Sequence, residues 1–462
     1  MPTRTQILAV SFILSFLGLH GVKAQSPAPV PPPALPDLYT LVPETPGNYL
    51  APLEALRPLQ ARYAASPQWR SLYFEELAAQ ESFVGNDAQA LADFDQSQPP
   101  DEELTNTDAK AAVAAFHGYR PVDARQAILK LAKTHRVLFL NEAHHVPMCR
   151  AFALSLLPGL YAQGFRYFAA ETLNDKDTQL QKRRYPTQMT GYYTIEPTFG
   201  ELVRTALKLG FHVVPYEYHL KPSQDLTHSK NFMADEELRE RGEAKNVYDR
   251  ILKHDPHAKI LLYAGYGHIG KKITTVTWSA GDLGQKTAGS ALFIPMAVYF
   301  ERFSGIVPFS IDQTRLFARS APAYDSLLYR SLVARHLVTD APSVFQKQKQ
   351  FYVPPNLRGI YDIEVCHPPT RLRYGRPDWL SMNGRRTPVL LPTPLPKPKD
   401  AAHTLLLQAF YAGEDPKQAV PVDQVELRPG VPQPALLLPK GRFLVQVVDG
   451  KGTVLRRFQI TH

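Results

Sequence analysis

The sequence predicts an α/β fold: a parallel-sheet core with helices on both faces, an N-terminal helical segment and a small C-terminal antiparallel β module. Each predicted core strand is a continuous apolar run, which is typical of parallel strands buried on both faces. Helical stretches lie between these runs and indicate βαβ crossovers, in which neighbouring strands run parallel. The four runs lie at residues 136–140, 165–170, 211–216 and 259–264.

The chain is long enough for two or three domains. It has 462 residues, of which 44% are hydrophobic and 21% are charged, as in globular proteins. Many of its 42 prolines lie in connecting segments. The predicted organisation is a signal peptide (1–24), a proline-rich spacer (25–37), a helical N-terminal segment (38–110), an α/β domain (111–385), a proline-rich linker (386–401) and the β module (402–462).

The first residues predict export. Arg4 precedes a short apolar run, Ile7 to Leu19, and small residues at the cleavage positions end at Ala24. This pattern is typical of a secretory signal peptide cleaved near Ala24. The run is short for a transmembrane helix, and no later segment approaches eighteen uninterrupted apolar residues. We therefore expect a periplasmic or secreted protein with no transmembrane segment after cleavage.

The charge of the chain argues against a nucleic-acid partner. Without Arg4 and Lys23, 50 basic residues face 43 acidic ones, and the net charge falls from +9 to +7. No stripe of lysine and arginine with interleaved aromatic residues is present, so we expect no nucleic-acid binding. A basic chain remains compatible with association with an anionic envelope surface. The expected partner is a small-molecule substrate or ligand.

Spacing and boundary residues predict the remaining elements. Thr198-Phe-Gly-Glu201 reads as a capping box that begins a helix, and Gly164 and Gly210 are predicted to end helices. The predicted helices are 124–133, 147–163, 198–209 and 234–253. Further strands are predicted at 291–300 and 359–365, and strands of the β module at 404–410, 435–438, 443–448 and 453–460.

Each of the four core strands is followed by a carboxylate or an imidazole. The carboxyl ends of parallel strands share one edge of a sheet, where open α/β folds bind ligands. A buried carboxylate or imidazole is unfavourable unless it is paired or coordinated. We therefore expect one site at this edge, formed by Glu142, His144, His145, Glu171, Glu217 and His268.

The segment Glu142-Ala-His-His145 carries most of the predicted chemistry. A glutamate that orients an imidazole makes a general base, which can activate water or a hydroxyl group. The same atoms suit zinc, iron or manganese, and a lone histidine can simply cap the next helix. The alternative to a functional role for Glu171 is a structural one, as a helix N-cap or in an ion pair with Arg150. His268 lies in a glycine-rich turn, where close backbone approach is allowed.

Several other residues are candidate neighbours of this site. Arg150 is suited to bind an anionic group or to pair with Glu142 or Glu171. The other candidate substrate contacts are Tyr192, Tyr193, Glu217 and Tyr266. The Gly-x-Gly-x-x-Gly match at 265–270 follows the fourth strand and precedes β-branched residues, so a dinucleotide site is disfavoured.

The two cysteines, Cys149 and Cys366, leave two alternatives open. An exported chain can form a disulfide between them. Cys149, however, lies one helical turn beyond His145 and can instead face the predicted site.

The order Leu-Asn-Glu-Ala-His-His, Arg150, Ala-Ala-Glu-Thr and Gly-Tyr-Gly-His resembles the erythromycin esterase and ChaN-like superfamily, which includes Tiki-type metalloproteases. The resemblance covers roughly residues 120–300. Asn141 stands where the turn of that family usually has glycine, and the doubled histidine leaves the register open.

The resemblance implies three kinds of site. Esterase-like members imply a metal-independent hydrolytic site at Glu142, His145, Glu171 and His268. Tiki-like members imply a metal at His144, together with Glu142, Glu171 and His268, and ChaN-like members imply haem. We therefore expect an exported esterase-like hydrolase in which His145 is the general base, oriented by Glu142, while Glu171 and His268 hold the water and stabilise developing charge. The alternatives are a haem- or transition-metal-binding periplasmic protein without catalysis, and an envelope structural protein that has lost activity.

Overall fold

The computed structural model describes residues 35–36, 38–42, 45–67, 69–97, 107–220, 232–278, 289–391, 395–400 and 403–462. The predicted signal peptide and nearly all of the predicted spacer lie outside the described residues. So do residues 392–394 and 401 of the predicted linker.

Thirteen α-helices lie in the described part of the chain. They are α1 (Leu38–Leu41), α2 (Leu50–Leu56), α3 (Gln60–Ala64), α4 (Arg70–Phe83), α5 (Asp87–Ser97), α6 (Thr107–Ala115), α7 (Ala124–Leu131), α8 (Pro147–Ala162), α9 (Leu180–Arg183), α10 (Pro197–Leu209), α11 (Phe232–Val247), α12 (Met296–Ser304) and α13 (Leu327–Ala334). A π-helical turn, Tyr248–Leu252, continues α11, and a 3-10 turn, Tyr266–Ile269, carries His268.

The described strands form one large sheet and four small ones. They are β1 (Arg120–Asp123), β2 (Val137–Glu142), β3 (Tyr167–Ala170), β4 (His212–Pro215), β5 (Ile260–Gly265), β6 (Thr274–Trp278), β7 (Gly289–Phe293), β8 (Phe309–Leu316), β9 (Ser343–Lys347), β10 (Gln350–Phe351), β11 (Ile363–Cys366), β12 (Leu372–Arg373), β13 (Arg376–Pro377), β14 (Thr387–Val389), β15 (Leu405–Tyr411), β16 (Asp423–Leu427), β17 (Leu436–Leu438), β18 (Arg442–Val448) and β19 (Val454–Thr461).

The large sheet is mostly parallel and has the order β1-β9-β11-β8-β2-β5-β3-β4, with β10 beside β9. The strands from β11 to β4 in this order are parallel, whereas β9 is antiparallel to β1, β10 and β11. The predicted mixed α/β fold with a largely parallel central sheet is therefore confirmed.

Helices cover both faces of this sheet. Leu138 and Leu140 of β2 belong to a core shared with α8 and α10. Val137 and Phe139, which alternate with them, belong to a second core shared with α11 and α12. Burial on both faces explains why β2 reads as an uninterrupted apolar run.

Two local predictions are wrong. The predicted strand 291–300 is instead the end of β7 followed by α12. Pro295 is the extended residue that immediately precedes α12, and proline favours the start of a helix. The predicted capping box is also absent, since α10 is capped by Glu196. Its carboxylate accepts hydrogen bonds from the backbone N–H groups of Thr198 and Phe199.

The β8 strand was not predicted, because half of its buried residues are polar. Ser310, Asp312 and Gln313 are each at most 1% exposed. The Asn141 side chain on the neighbouring strand donates to Asp312 over 2.6 Å and accepts from the backbone N–H of Gln313 over 2.8 Å. Hydrogen-bond partners on the neighbouring strand thus allow polar side chains of β8 to be buried, so β8 does not read as an apolar run.

The C-terminal region forms a four-stranded antiparallel sheet in the order β16-β15-β18-β19. The small antiparallel sheet expected there is thereby confirmed. β17 is not part of it, and pairs with β14 from the segment predicted as a linker.

The two cysteines do not form a disulfide. Cys149 and Cys366 are both free and buried. Burial raises the pKa of the Cys149 thiol to about 12, which disfavours a reactive thiolate.

Within the ranges described above, none of the helices has the length and apolar character needed to span a membrane.

Candidate active site

The carboxyl ends of β2, β5, β3 and β4 lie side by side. Glu142 pairs in register with Gly265, and Ala170 pairs with both Tyr263 and Pro215. Side chains that follow these strands therefore meet at one edge of the sheet. The carboxylates and imidazoles predicted at these strand ends are all less than 5% exposed: Glu142, His144, His145, Glu171, Glu217 and His268.

Glu142 is held by a fully buried arginine. Arg150, on the first turns of α8, donates from Nε to Oε2 over 2.8 Å and from Nη2 to Oε1 over 2.7 Å. Burial alone would raise the Glu142 pKa, but the charge and hydrogen bonds of Arg150, with a smaller contribution from His144, lower it to about 2. Glu142 is therefore an ionised carboxylate with its geometry fixed by a bidentate pair.

Arg150 also ties this carboxylate to the surrounding elements. It donates to the carbonyl oxygen of His144 over 2.8 Å and to Glu196, the cap of α10, over 3.1 Å. Its guanidinium lies 5.1 Å from the centre of the Phe199 ring. Of the two pairings considered for Arg150, the structure has the one with Glu142 and not the one with Glu171.

His144 is oriented by Glu142. Its Nδ1 lies 2.9 Å from Glu142 Oε1. Because an ionised carboxylate only accepts, Nδ1 carries a proton, and in the neutral ring Nε2 is therefore the nitrogen with the free lone pair. The ring stacks on Tyr193 at 3.9 Å, and Tyr266 meets it edge to face at 5.2 Å.

The free nitrogen of His144 faces the ends of two other strands. Nε2 is buried and has no hydrogen-bond partner among the residues the structure describes. A Cβ atom at Gly265 would overlap the ring edge at Cε1 and Nε2, and would lie 3.1 Å from Glu171 Oε2. Glycine at 265 therefore leaves room for His144 Nε2 beside Glu171.

His145 lies in a different environment. Its ring stacks on Phe94 of α5 at 3.7 Å, and its Nδ1 is 3.3 Å from the Tyr266 hydroxyl. Burial, followed by the charge of Arg319, lowers the His145 pKa well below its usual value. No hydrogen bond or ion pair of the described residues joins it to Glu142 or Glu171. His144, and not the expected general base His145, is therefore the histidine beside these carboxylates.

Glu171 lies between two groups of polar residues. Its Oε2 accepts a hydrogen bond from the backbone N–H of Gly265, and its Oε1 lies 3.2 Å from Arg239 and 3.8 Å from His268 Nε2. Burial alone would raise the Glu171 pKa, but the positive charge of His268, of His144 when it is protonated, and of Arg239 lowers it. Glu171 therefore links the His144 side of the site to a second cluster.

The second cluster comes from α11 and was not predicted. It consists of Glu236, Arg239, Glu240 and Glu243, all at most 2% exposed. Their spacing of i, i+3, i+4 and i+7 puts them on one helix face. The spacing was visible in the sequence, but a charged face usually meets solvent, and only the fold shows that this one is buried.

Arg239 is the centre of this cluster. Its Nη2 lies 2.7 Å from Glu243, 3.2 Å from Glu171 and 3.5 Å from Glu217, and its Nη1 lies 3.4 Å from His268 Nε2. Glu217 also accepts the backbone N–H of Thr172 over 2.7 Å, so it holds the turn after β3. Glu217 is thus joined to the site through Arg239.

His268 forms a close ion pair with Glu240 through Nδ1. Burial alone would lower the His268 pKa, but the charges of Glu240 and Glu171 raise it to about 9. Burial, opposed by Arg239 and assisted by Glu240, raises the Glu236 pKa to about 7. Both shifts reflect the number of carboxylates packed around Arg239 and His268.

The tyrosines divide between the site and its surroundings. Tyr193 and Tyr266 contact the His144 ring, as described above. Tyr192 instead points to α4, where its hydroxyl donates to Glu76 over 3.0 Å and accepts from Gln80 over 2.9 Å. Only the first two are walls of the site.

Asn141 stabilises the turn that carries His268. Its side-chain amide donates to the carbonyl oxygen of Tyr266 over 2.7 Å, and Tyr266 has a positive φ of 36°. A glycine at 141 would lack this contact, so the asparagine has a structural role of its own here.

The metal site implied for Tiki-like members fits these residues poorly. Both oxygens of Glu142 are engaged by Arg150, and His144 Nδ1 is engaged by Glu142. That leaves His144 Nε2 and Glu171 as ligands on this side. Among the described residues, three ligand atoms come within 4.8 Å of one another at Glu236, Glu240 and His268.

A cleft of about 60 Å³ lies beside the turn that carries His268. Its walls include Tyr266, Gly267, Thr314 and Arg315. Because Tyr266 also contacts the His144 ring, the cleft and the buried carboxylates share a wall.

Comparisons with protein-family models, with curated proteins and with solved structures found no match to this chain.

Proposed function

We propose that this chain is an exported hydrolase of the erythromycin esterase-like type, in which His144 is the general base and Glu142 orients it. One observation carries the proposal: His144 Nδ1 is held by an ionised carboxylate, while its buried Nε2 has no hydrogen-bond partner among the described residues. This is the arrangement that a water-activating imidazole requires.

In the proposed reaction, water binds between His144 Nε2 and Glu171. Its oxygen attacks the carbonyl carbon of the substrate, and its proton passes to Nε2. The same nitrogen then returns the proton to the leaving oxygen as the carbon–oxygen bond breaks. Glu142 stabilises the imidazolium that forms between these two steps.

Positive groups beside Glu171 can stabilise the negative charge that develops on the substrate. Arg239 and the charged His268 both lie next to Glu171 Oε1. Fixed charges in a site that excludes water favour the transition state more strongly than they would in water. In the proposed reaction His268 therefore has a supporting role, and it is one of the four site residues that the resemblance implies.

A panel of chromogenic substrates tests whether the chain hydrolyses anything. We expect the purified mature protein to hydrolyse p-nitrophenyl esters, and Glu142→Gln to lower kcat/KM by about 10²-fold or more, because general-base assistance contributes about 10² to 10⁴. Glu76→Gln is the matched control, since Glu76 is buried but contacts Tyr192 outside the site. Activity of Glu142→Gln equal to that of the control would refute the proposal.

Export belongs to the same proposal. Arg4, the apolar run to Leu19 and the small residues before Gln25 support it. The intact mass of the protein recovered from the envelope or the medium should correspond to a chain that begins near Gln25. A full-length chain confined to the cell interior would contradict export.

Haem binding stays a prediction from the sequence.

A further inference from the structure

We infer that Glu236, Glu240 and His268 bind one divalent transition-metal ion, of the zinc or manganese class. The site goes beyond the proposed hydrolytic reaction, in which His144 is the base and no metal is needed. It shares His268 with that reaction, and a bound cation would replace the positive charge that protonated His268 supplies there. It lies on the other side of Glu171, whose Oε1 faces Arg239 and His268 and whose Oε2 faces Gly265.

The geometry of the three side chains suits a small cation. One ligand atom from each residue lies within 4.8 Å of the other two, and all three residues are at most 1% exposed. Bonds of about 2.0 to 2.2 Å from zinc to nitrogen or oxygen place ligand atoms about 3 to 4 Å apart. The group is therefore close to the size that such an ion requires.

Two elements supply the ligands. Glu236 and Glu240 are one turn apart on α11, so their carboxylates share a helix face. His268 comes from the turn after β5, where it meets Glu240. Two carboxylates and an imidazole are a donor set that suits zinc, manganese or iron.

Glu236 is the observation that points to a ligand. No N–H or O–H donor of the described residues hydrogen-bonds to either of its carboxylate oxygens, and its ion pair with Arg239 is long, at 3.8 Å. Buried carboxylates are normally satisfied by donors or by a cation. A metal ion between Glu236 and Glu240 would satisfy this one.

The charges around Arg239 agree with this assignment. Five buried carboxylates surround two cationic groups, Arg239 and His268, so full ionisation would leave an excess of three negative charges. A divalent cation supplies part of the missing positive charge. The five carboxylates belong to Glu171, Glu217, Glu236, Glu240 and Glu243.

Metal binding can be measured without any substrate. The mature protein, from about Gln25 to its last residue, is freed of metal with EDTA and dialysed against Zn²⁺ or Mn²⁺. The bound metal per chain is then measured by mass spectrometry. We expect one ion per chain at micromolar free metal. Glu236→Gln and Glu240→Gln should each weaken binding by about 10- to 100-fold or more, the loss known even for groups that only support a ligand.

Glu243→Gln is the matched control. Glu243 lies on the same helix face and is equally buried, but it pairs with Arg239 and is not one of the three ligands. The Glu243→Gln variant should bind metal with an affinity within about threefold of that of the unsubstituted chain. Circular dichroism melts of all three variants separate lost binding from lost folding.

Two results would overturn the inference: no metal retained by the unsubstituted protein at micromolar concentration, or equal binding by Glu236→Gln and Glu243→Gln. Proton sharing between Glu236 and Glu240 would then explain the cluster. Since these assays contain no substrate, they are independent of the hydrolase proposal, whose own failure would appear as absent activity in a protein that still binds metal.

Discussion

At the scale of single residues, the site depends on pairing of buried charge. Glu142 is ionised in the interior because Arg150 neutralises it and donates two hydrogen bonds. Removing one partner of such a pair leaves an uncompensated charge, which is more damaging than replacing both partners. The pair therefore makes a sharp test of how the site is held.

Replacing Arg150 with methionine should lower the free energy of unfolding by about 3 to 5 kcal/mol, because Glu142 would remain buried without its cation. Adding Glu142→Gln should recover part of that loss. Chemical denaturation measures both effects. Arg371→Met is the control: its ion pair with Asp340 is exposed, and its loss should change stability by less than about 1 kcal/mol. Equal losses in both arginine variants would contradict this account.

Glu364 on β11 predicts a pH effect on stability. Burial, followed by the charge of Asp312, raises its pKa from 4.5 to about 8, and neither of its oxygens has a hydrogen-bond partner among the described residues. A raised folded-state pKa contributes stability that is fully present below about pH 4.5 and is lost as the pH rises through about 8.

Glu364→Gln should remove this loss. We expect the variant and the unsubstituted protein to have similar Tm values near pH 4.5, and the variant to melt at a higher temperature near pH 8 to 9. Thermal melts across this range measure the difference. A difference between the two Tm values that stays constant with pH would show that Glu364 does not titrate as its environment implies.

At the scale of elements, the strands of the site could be read from the sequence, whereas the burial of the charged helix opposite them could not. β2 and β5 are buried on both faces, so their apolar runs are uninterrupted. The polar face of α11 looks solvent-exposed until the fold places it over the strand ends. β8 was missed for a related reason, because Asn141 satisfies its buried polar groups from the next strand.

Which histidine faces the site also could not be read from the sequence. His144 and His145 are adjacent and chemically identical. The choice depends on Tyr193 and Phe94, which stack on one ring each and come from segments far from the turn in sequence. The positions of Glu142, Glu171 and His268 were predictable because each lies within four residues of the end of an apolar run.

Gly265 at the end of β5 links strand geometry to the proposed chemistry. Gly265→Ala should lower kcat/KM for ester substrates by about 10²-fold, because the added methyl group would displace the His144 ring. The accompanying loss of stability should be about 1 to 3 kcal/mol, as for overpacking in a core. Gly413→Ala, where a methyl group meets nothing within 4 Å, should change neither quantity. Full activity of Gly265→Ala would refute the proposed position of His144.

At the scale of the whole molecule, the N-terminal helices and the C-terminal sheet are joined by charge. Arg57 donates to Glu81 of α4 over 2.9 Å and to Glu426 of β16 over 2.7 Å. These contacts cross 369 positions of sequence between Arg57 and Glu426, so no local pattern could reveal them. The N-terminal helices also supply Phe94, which stacks on His145. They therefore contribute to the different environments of the His144 and His145 rings.

The most direct test of the central claim compares His144→Gln with His145→Gln in the hydrolysis of p-nitrophenyl esters. The two residues are adjacent, buried and of the same type, so each variant controls for the other. We predict that His144→Gln loses about 10²-fold or more in kcat/KM, whereas His145→Gln stays within about tenfold of the unsubstituted protein. The reverse order, or equal activity of the two variants, would contradict the assignment of His144 as the general base.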